Sequence, residues 1–136
     1  MYKKIIVPVD MGQLEKGAKI LSKAKALLDE GGEIILVNIA EAVPGYLAID
    51  LPVDFIENAV KDADARLKEL NQTCGTEAKI QVRVGSSARE ILAAAEDLGA
   101  DLIIIASHRP DFSNYLLGAT ADRVVRHAKC SVLVDR

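Results

Sequence analysis

What most constrains this chain is a series of short, unbroken apolar runs rich in β-branched residues, each separated from the next by a stretch with helical spacing. Ile5-Ile-Val7, Ile34-Ile-Leu-Val37 and Leu102-Ile-Ile-Ile105 show no alternation with polar residues, so a strand made from any of them must be covered on both faces. Strands of that kind, each followed by a helix, cross over right-handedly and lie parallel. Five segments read as strands: Lys4–Val9, Glu33–Ile39, Ala78–Gly85, Asp101–Ser107 and Ser131–Val134.

Four helices fill the gaps. Leu14, Gly17, Ala18, Leu21, Ala24, Lys25 and Leu28 repeat at helical spacing, with Gly31-Gly32 expected to stop the helix. Ile56, Ala59, Val60, Ala63, Leu67 and Leu70 mark one face of a long helix that ends over Thr73–Thr76. Ser86-Ser87, with Glu90 three residues beyond Ser87, predicts a capping-box start for a third helix ending near Gly99. Gly118 opens the fourth, whose apolar positions are Ala121, Val124, Val125 and Ala128. Residues 40–52 and 108–117 read as loops.

The fold class is therefore α/β: one domain over residues 1–136, an open five-stranded parallel sheet with helices on both faces, Rossmann-like. The pattern itself leaves the strand order open. The doubly wound order 3-2-1-4-5 is favoured, because it sets the C-terminal ends of the first and fourth strands side by side at a switch point, where such sheets bind ligands.

Composition removes several function classes. A chain of 136 residues, half apolar and 27% charged, is an ordinary globular domain with neither the bias of disorder nor a membrane span. A formal charge of −3 excludes nucleic acid as a main partner, so any phosphate site must be local. Cys74 and Cys130 match no metal-ligand spacing and read as reduced thiols. The N-terminal Met1-Tyr-Lys-Lys-Ile5 lacks the pattern of a signal peptide, and the expected location is cytoplasmic.

The expected crevice collects Pro8, Val9 and Asp10, then Val37, Asn38 and Ile39, then Ala106 to Ala121. Backbone N–H groups at Gly118, Ala119, Thr120 and Ala121, at the positive end of a helix dipole, suit an anion. The hydroxyls of Ser107 and Thr120 and the side chains of His108 and Arg109 add donors and charge. Asp10 can accept from a ribose, while backbone near Ile39 and apolar side chains can hold a base. Each residue also has a plainer reading: Asp10, Ser107 and Thr120 as local caps, His108 as a loop residue, and His127 as a partner for the last carbonyls of its helix.

Gly12-Gln-Leu-Glu-Lys-Gly17 imitates a phosphate-binding P-loop, but Ala18 stands where lysine must follow and the segment keeps helical spacing, so that reading is rejected. No zinc-protease, dinucleotide or nucleophile-elbow motif occurs, and no triad emerges.

Met1-Tyr-Lys-Lys-Ile-Ile-Val-Pro-Val-Asp10, Ile103-Ile-Ile-Ala-Ser-His-Arg-Pro110, Tyr115-Leu-Leu-Gly118 and Val124-Val-Arg-His-Ala-Lys-Cys-Ser-Val-Leu-Val134 together resemble the universal stress protein superfamily, most of all its F and G branch. The resemblance spans the whole chain. It implies the strand order chosen above, a homodimer, and binding of ATP, or of ADP or AMP, with Mg2+ or Mn2+ recruited by the phosphates. It matches Asp10 to the family's ribose-side aspartate and Val37 to Ile39 to the segment whose backbone meets adenine. The family's phosphate pattern is glycine, two residues, glycine, nine residues, glycine, then serine or threonine. This chain carries Ala106, Arg109 and Gly118 at those positions, with eight residues between the last two, and Ala119 in place of the hydroxyl residue. Thr120 offers a hydroxyl one position later.

Two functions follow from this reading. One is a nucleotide-dependent regulatory or interaction protein of the stress response, with at most slow hydrolysis, since neither a general base nor a P-loop lysine is in place. The other is an interaction module of the same fold that needs no nucleotide, favoured by the missing glycines and by the apolar stretch Ala42–Pro52. An electron carrier of the flavodoxin kind is disfavoured, because two Phe, three Tyr and no Trp leave little to flank a flavin. The final strand, Ser131-Val132-Leu133-Val134, would form a sheet edge able to pair with a second copy.

Overall fold

Each apolar run of the sequence is a strand in the computed structural model, which describes residues 1–41, 51–107 and 118–136. The strands are β1 (Tyr2–Pro8), β2 (Leu28–Ala40), β3 (Lys79–Val84), β4 (Leu102–Ala106) and β5 (Ser131–Asp135). The helices are α1 (Leu14–Leu27), α2 (Phe55–Cys74), α3 (Ser87–Leu98) and α4 (Ala119–His127), and a single 3-10 turn, Met11–Gln13, precedes α1. All neighbouring strands pair in parallel, in the doubly wound order β3-β2-β1-β4-β5. The sheet therefore has its switch point between β1 and β4, as the favoured order requires.

Period-two alternation sorts the strand residues into two cores. Ile5, Val7, Leu36 and Ile104 meet Ile20, Leu21 and Leu67 of α1 and α2 on one face. Ile6, Ile35, Val37, Ile103 and Ile105 meet Ile91, Ala94 and Val124 of α3 and α4 on the other. At about 1.5–3 kcal/mol for each fully buried aliphatic side chain, these two layers outweigh the surface ion pairs, which contribute about 0–1 kcal/mol each.

The first helix ends earlier than its glycines suggest. It stops at Leu27, and Gly31-Gly32 lie inside β2, which begins at Leu28. The ladder with β1 jumps there, from Tyr2 opposite Leu28 to Lys4 opposite Glu33. Gly31 takes a φ of 80°, and a Cβ on Gly32 would sit 2.8 Å from the Lys3 carbonyl oxygen. These glycines serve an irregular strand entry, not a helix stop.

The third helix also starts differently. Ser86 is its N-cap, with no side-chain capping bond, so Ser87 falls one place inside the helix. The Ser87 hydroxyl donates to Glu41 at 2.8 Å, and the Glu90 carboxylate is held by Arg83 at 3.0 Å. Partners on neighbouring elements have taken both members of the expected capping box. At the end of α2, by contrast, Gly75 adopts the left-handed conformation where a stop was expected. There the Asn71 side chain bridges to Ala78, donating to its carbonyl at 2.7 Å and accepting from its N–H at 3.1 Å, which sets the start of β3.

Candidate functional site

Strand β1 leads into the switch point and is released there in a defined way. The Val9 N–H donates to the Val37 carbonyl at 2.8 Å, and the buried Asn38 side chain donates to the Val9 carbonyl at 2.9 Å. With both backbone groups of Val9 held by β2, the chain turns away at Asp10. The Asp10 carboxylate accepts from the Gly12 N–H at 2.9 Å and caps the 3-10 turn. Gln13 closes that turn through its N–H to the Asp10 carbonyl at 2.9 Å, and α1 begins.

Strand β2 runs on past its partner. Its last pair with β1 is Val37 with Pro8, and the ladder alternation that turns Asn38 and Ala40 toward β3 turns the N–H and C=O of Ile39 toward the β1 side, beyond the end of that strand. On the opposite wall, Gly118 is the N-cap of α4, buried and extended at φ −62°, with no side-chain capping bond. The first helical bond joins the Asp122 N–H to the Gly118 carbonyl at 2.9 Å, which leaves the amides of Ala119, Thr120 and Ala121 without acceptors inside the helix. The acidic residue in that first turn, Asp122, is paired with Arg126 at 3.1 Å.

These parts enclose a cleft of about 540 Å3, within the range of small-ligand sites. Of the residues expected from the sequence, it is lined by Pro8, Val9, Asp10, Val37, Asn38, Ile39, Ala106, Gly118, Ala119 and Thr120. Two others do not line it. Ser107 continues the ladder to β5 through its N–H to the Asp135 carbonyl at 2.9 Å. The Ala121 side chain is fully buried in the core beneath α4, because helical spacing turns it toward the sheet. His108 and Arg109 lie outside the described residues. Gly118 has a negative φ, so its left-handed freedom is not what the site uses.

Other lining residues were not anticipated: Gln13 in the 3-10 turn, Lys16, Gly17 and Ile20 on α1, Glu41 and Ser87 at the far end, and Ile91 and Ile105. Gln13, Lys16, Gly17 and Ile20 follow i, i+3, i+4, i+7 spacing, a signal present in the sequence but indistinguishable there from a core stripe. Gly17 has a packing reason, since a Cβ at that position would lie 3.0 Å from Val9 Cγ1. Gln13 has none: its Oε1 is buried with no hydrogen-bond donor among the described residues. The charged groups of the lining are Asp10, Lys16 and Glu41. No cluster of His, Cys, Asp and Glu suited to a metal occurs among the described residues, and none of their helices is long and apolar enough to cross a membrane. Cys74 and Cys130 are both free thiols, and burial pushes the Cys130 thiol above its ordinary pKa.

The fold defines a small, doubly wound α/β domain with a cleft at the switch point. Residues 1–136 match the Universal stress protein family, and the chain belongs to that family. It is 36% identical over 145 aligned positions to universal stress protein G of Shigella flexneri, covering the whole of both chains. The solved structure of universal stress protein UspA from Lactobacillus plantarum superposes with a TM-score of 0.77 at 19% identity, over 99% of this chain and 98% of that one. The universal stress protein from Archaeoglobus fulgidus, solved in complex with dAMP, superposes with a TM-score of 0.67 at 19% identity, over 99% of this chain and 98% of that one.

Proposed function

We propose that this universal stress protein binds an adenine nucleotide, preferentially ATP, in the switch-point cleft and acts in the stress response by changing its conformation or partner contacts when loaded. The observation that carries this reading is the cleft's division of labour. Amides at the start of α4 that lack acceptors inside the helix suit phosphate, Asp10 suits ribose hydroxyls, and the donor and acceptor of Ile39 suit the edge of adenine. The dAMP complex of the Archaeoglobus protein is consistent with this assignment. A divalent ion, Mg2+ or Mn2+, would enter with the phosphates. Turnover is slow at most, because the two carboxylates of the described lining, Asp10 and Glu41, are engaged by the Gly12 N–H and the Ser87 hydroxyl.

The protein acts in this reading as a cytoplasmic homodimer joined through β5. Two free thiols fit a reducing compartment, and Leu133 on that edge strand is 39% exposed. A nucleotide-independent interaction module is the second reading, favoured by Ala119 at the helix start and by the fully exposed Val53 and the 41% exposed Phe55 just before and at the start of α2. Nucleotide content of freshly purified protein, released by denaturation, followed by calorimetric titration of the stripped protein with ATP, tests the first reading. Bound adenine nucleotide and saturable heat are expected. Neither nucleotide nor heat would leave the second reading standing.

A further inference from the structure

The segment that imitates a P-loop in sequence lies in the 3-10 turn and the first turn of α1, yet it faces the same cleft from the side opposite α4. Helix α1 covers one face of the sheet and α4 the other, and the switch point between β1 and β4 lies between their N-terminal ends. Lys16 stands in the first turn of α1, half-buried in the cleft wall, and forms no ion pair among the described residues. Its helix neighbour Lys19 and the next-turn Lys23 both pair with Asp135. One turn before Lys16, Gln13 lines the same cavity, and its Oε1 is buried with no donor among the described residues. Among the described residues, a half-buried ammonium with no ion pair and a buried acceptor with no donor share one wall, which a ligand could complete.

We propose that Lys16 is the residue that makes this cleft a polyphosphate site: its ammonium pairs with the outer phosphates of a nucleoside di- or triphosphate whose inner phosphate rests on the α4 amides. This inference rests on the nucleotide reading above and assigns which phosphates the protein distinguishes. The charges around the cavity favour that direction. Glu41, occupied by the Ser87 hydroxyl, makes the far end unfavourable for phosphate, and the Asp10 carboxylate is turned onto the Gly12 N–H. Lys16 is the cation among the described lining residues. Unlike a P-loop lysine, it reaches the ligand from within a helix, so it supplies charge without a cradle of loop amides.

The test is calorimetric titration of the wild type, Lys16→Met and Lys16→Arg with AMP, ADP and ATP at one fixed ionic strength. Loss of one charge-assisted contact should weaken ATP binding by Lys16→Met about tenfold or more, while AMP binding changes by less than about twofold. ADP should fall in between, and Lys16→Arg should keep most of the ATP affinity. A melting curve for Lys16→Met matching the wild type shows that the fold is intact. Equal losses for AMP and ATP, or no loss for either, overturn the assignment of Lys16 and leave the nucleotide reading in place. A wild type that binds none of the three overturns both.

Discussion

Asp10 and Gln13 stand three residues apart and separate two properties that a sequence cannot tell apart, local capping and ligand contact. Asp10 does the first visibly, through the Gly12 N–H, and the proposed nucleotide site would give it the second. Serine caps such turns about as well as aspartate, whereas alanine removes the cap at a cost of about 1 kcal/mol. Asp10→Ser should therefore keep the melting temperature and lose nucleotide affinity, and Asp10→Ala should lose both. Thermal unfolding alongside ATP titration reads the two effects independently; an Asp10→Ser variant with full affinity would confine Asp10 to capping. Gln13 gives the opposite pairing. Replacing a buried acceptor that lacks a donor by a similar apolar group removes a desolvation cost of about 1 kcal/mol. Gln13→Leu should then raise the melting temperature of the unliganded protein by about 2–4 °C and weaken ATP binding. A lower melting temperature with unchanged affinity would show that Gln13 serves the fold. Neither role of Gln13 was legible in the sequence, where a glutamine at the start of a helix marks only a polar position.

At the scale of elements, apolar runs and alternation placed the strands of the described residues and helical spacing their helices, while the boundaries were set by contacts that no local pattern contains. Gly31-Gly32 reads as a helix stop until the Lys3 carbonyl comes within 2.8 Å of where a Gly32 side chain would begin. Ser87 and Glu90 read as a capping box until Glu41 and Arg83 are brought beside them by other strands. The start of β1 is fixed in the same way, by Asp101 in the turn before β4. Its carboxylate accepts from the Lys3 N–H at 2.9 Å and the Lys4 N–H at 3.0 Å, and its own N–H donates to the Lys4 carbonyl at 3.0 Å. Burial pushes the Asp101 carboxyl up, but these amides more than offset that and hold it below the ordinary carboxylate value. A folded-state pKa below the unfolded one stabilises the fold above the unfolded value and is lost as pH falls through the folded value. Asp101→Asn should thus be less stable than the wild type at neutral pH, with the gap closing below about pH 4, where the wild-type carboxylate takes up its proton. Denaturant midpoints at neutral and acid pH measure the gap, and a gap independent of pH would assign the cost to geometry alone.

For the whole molecule, the pattern of strands and helices left the order of the sheet open, and the switch-point argument selected the order the structure has. The same order leaves β3 and β5 as the two edges, and their chemistry differs. Strand β3 carries Lys79, Gln81 and Arg83 along its length, with Lys79 paired to Glu33 at 2.7 Å and Arg83 to Glu90 at 3.0 Å. Charges of this kind protect an edge against pairing. Strand β5 carries Ser131, Val132, Leu133 and Val134, with the two valines packed toward the α3 and α4 core and Leu133 on the other face, 39% exposed. Its single charged residue, Asp135, is drawn to Lys19 and Lys23 of α1 and leaves the centre of the strand unguarded. Pairing of this edge with its own copy about a two-fold axis would be antiparallel, would use its free backbone groups and would set the two Leu133 residues near the axis. The wild type should therefore be a dimer in light scattering, and Leu133→Lys a monomer across the same concentrations. A cleft complete within one chain predicts that this monomer still binds ATP with near wild-type affinity. A Leu133→Lys dimer would move the interface off β5. A monomer that had lost ATP binding would instead mean that the second copy completes the cleft.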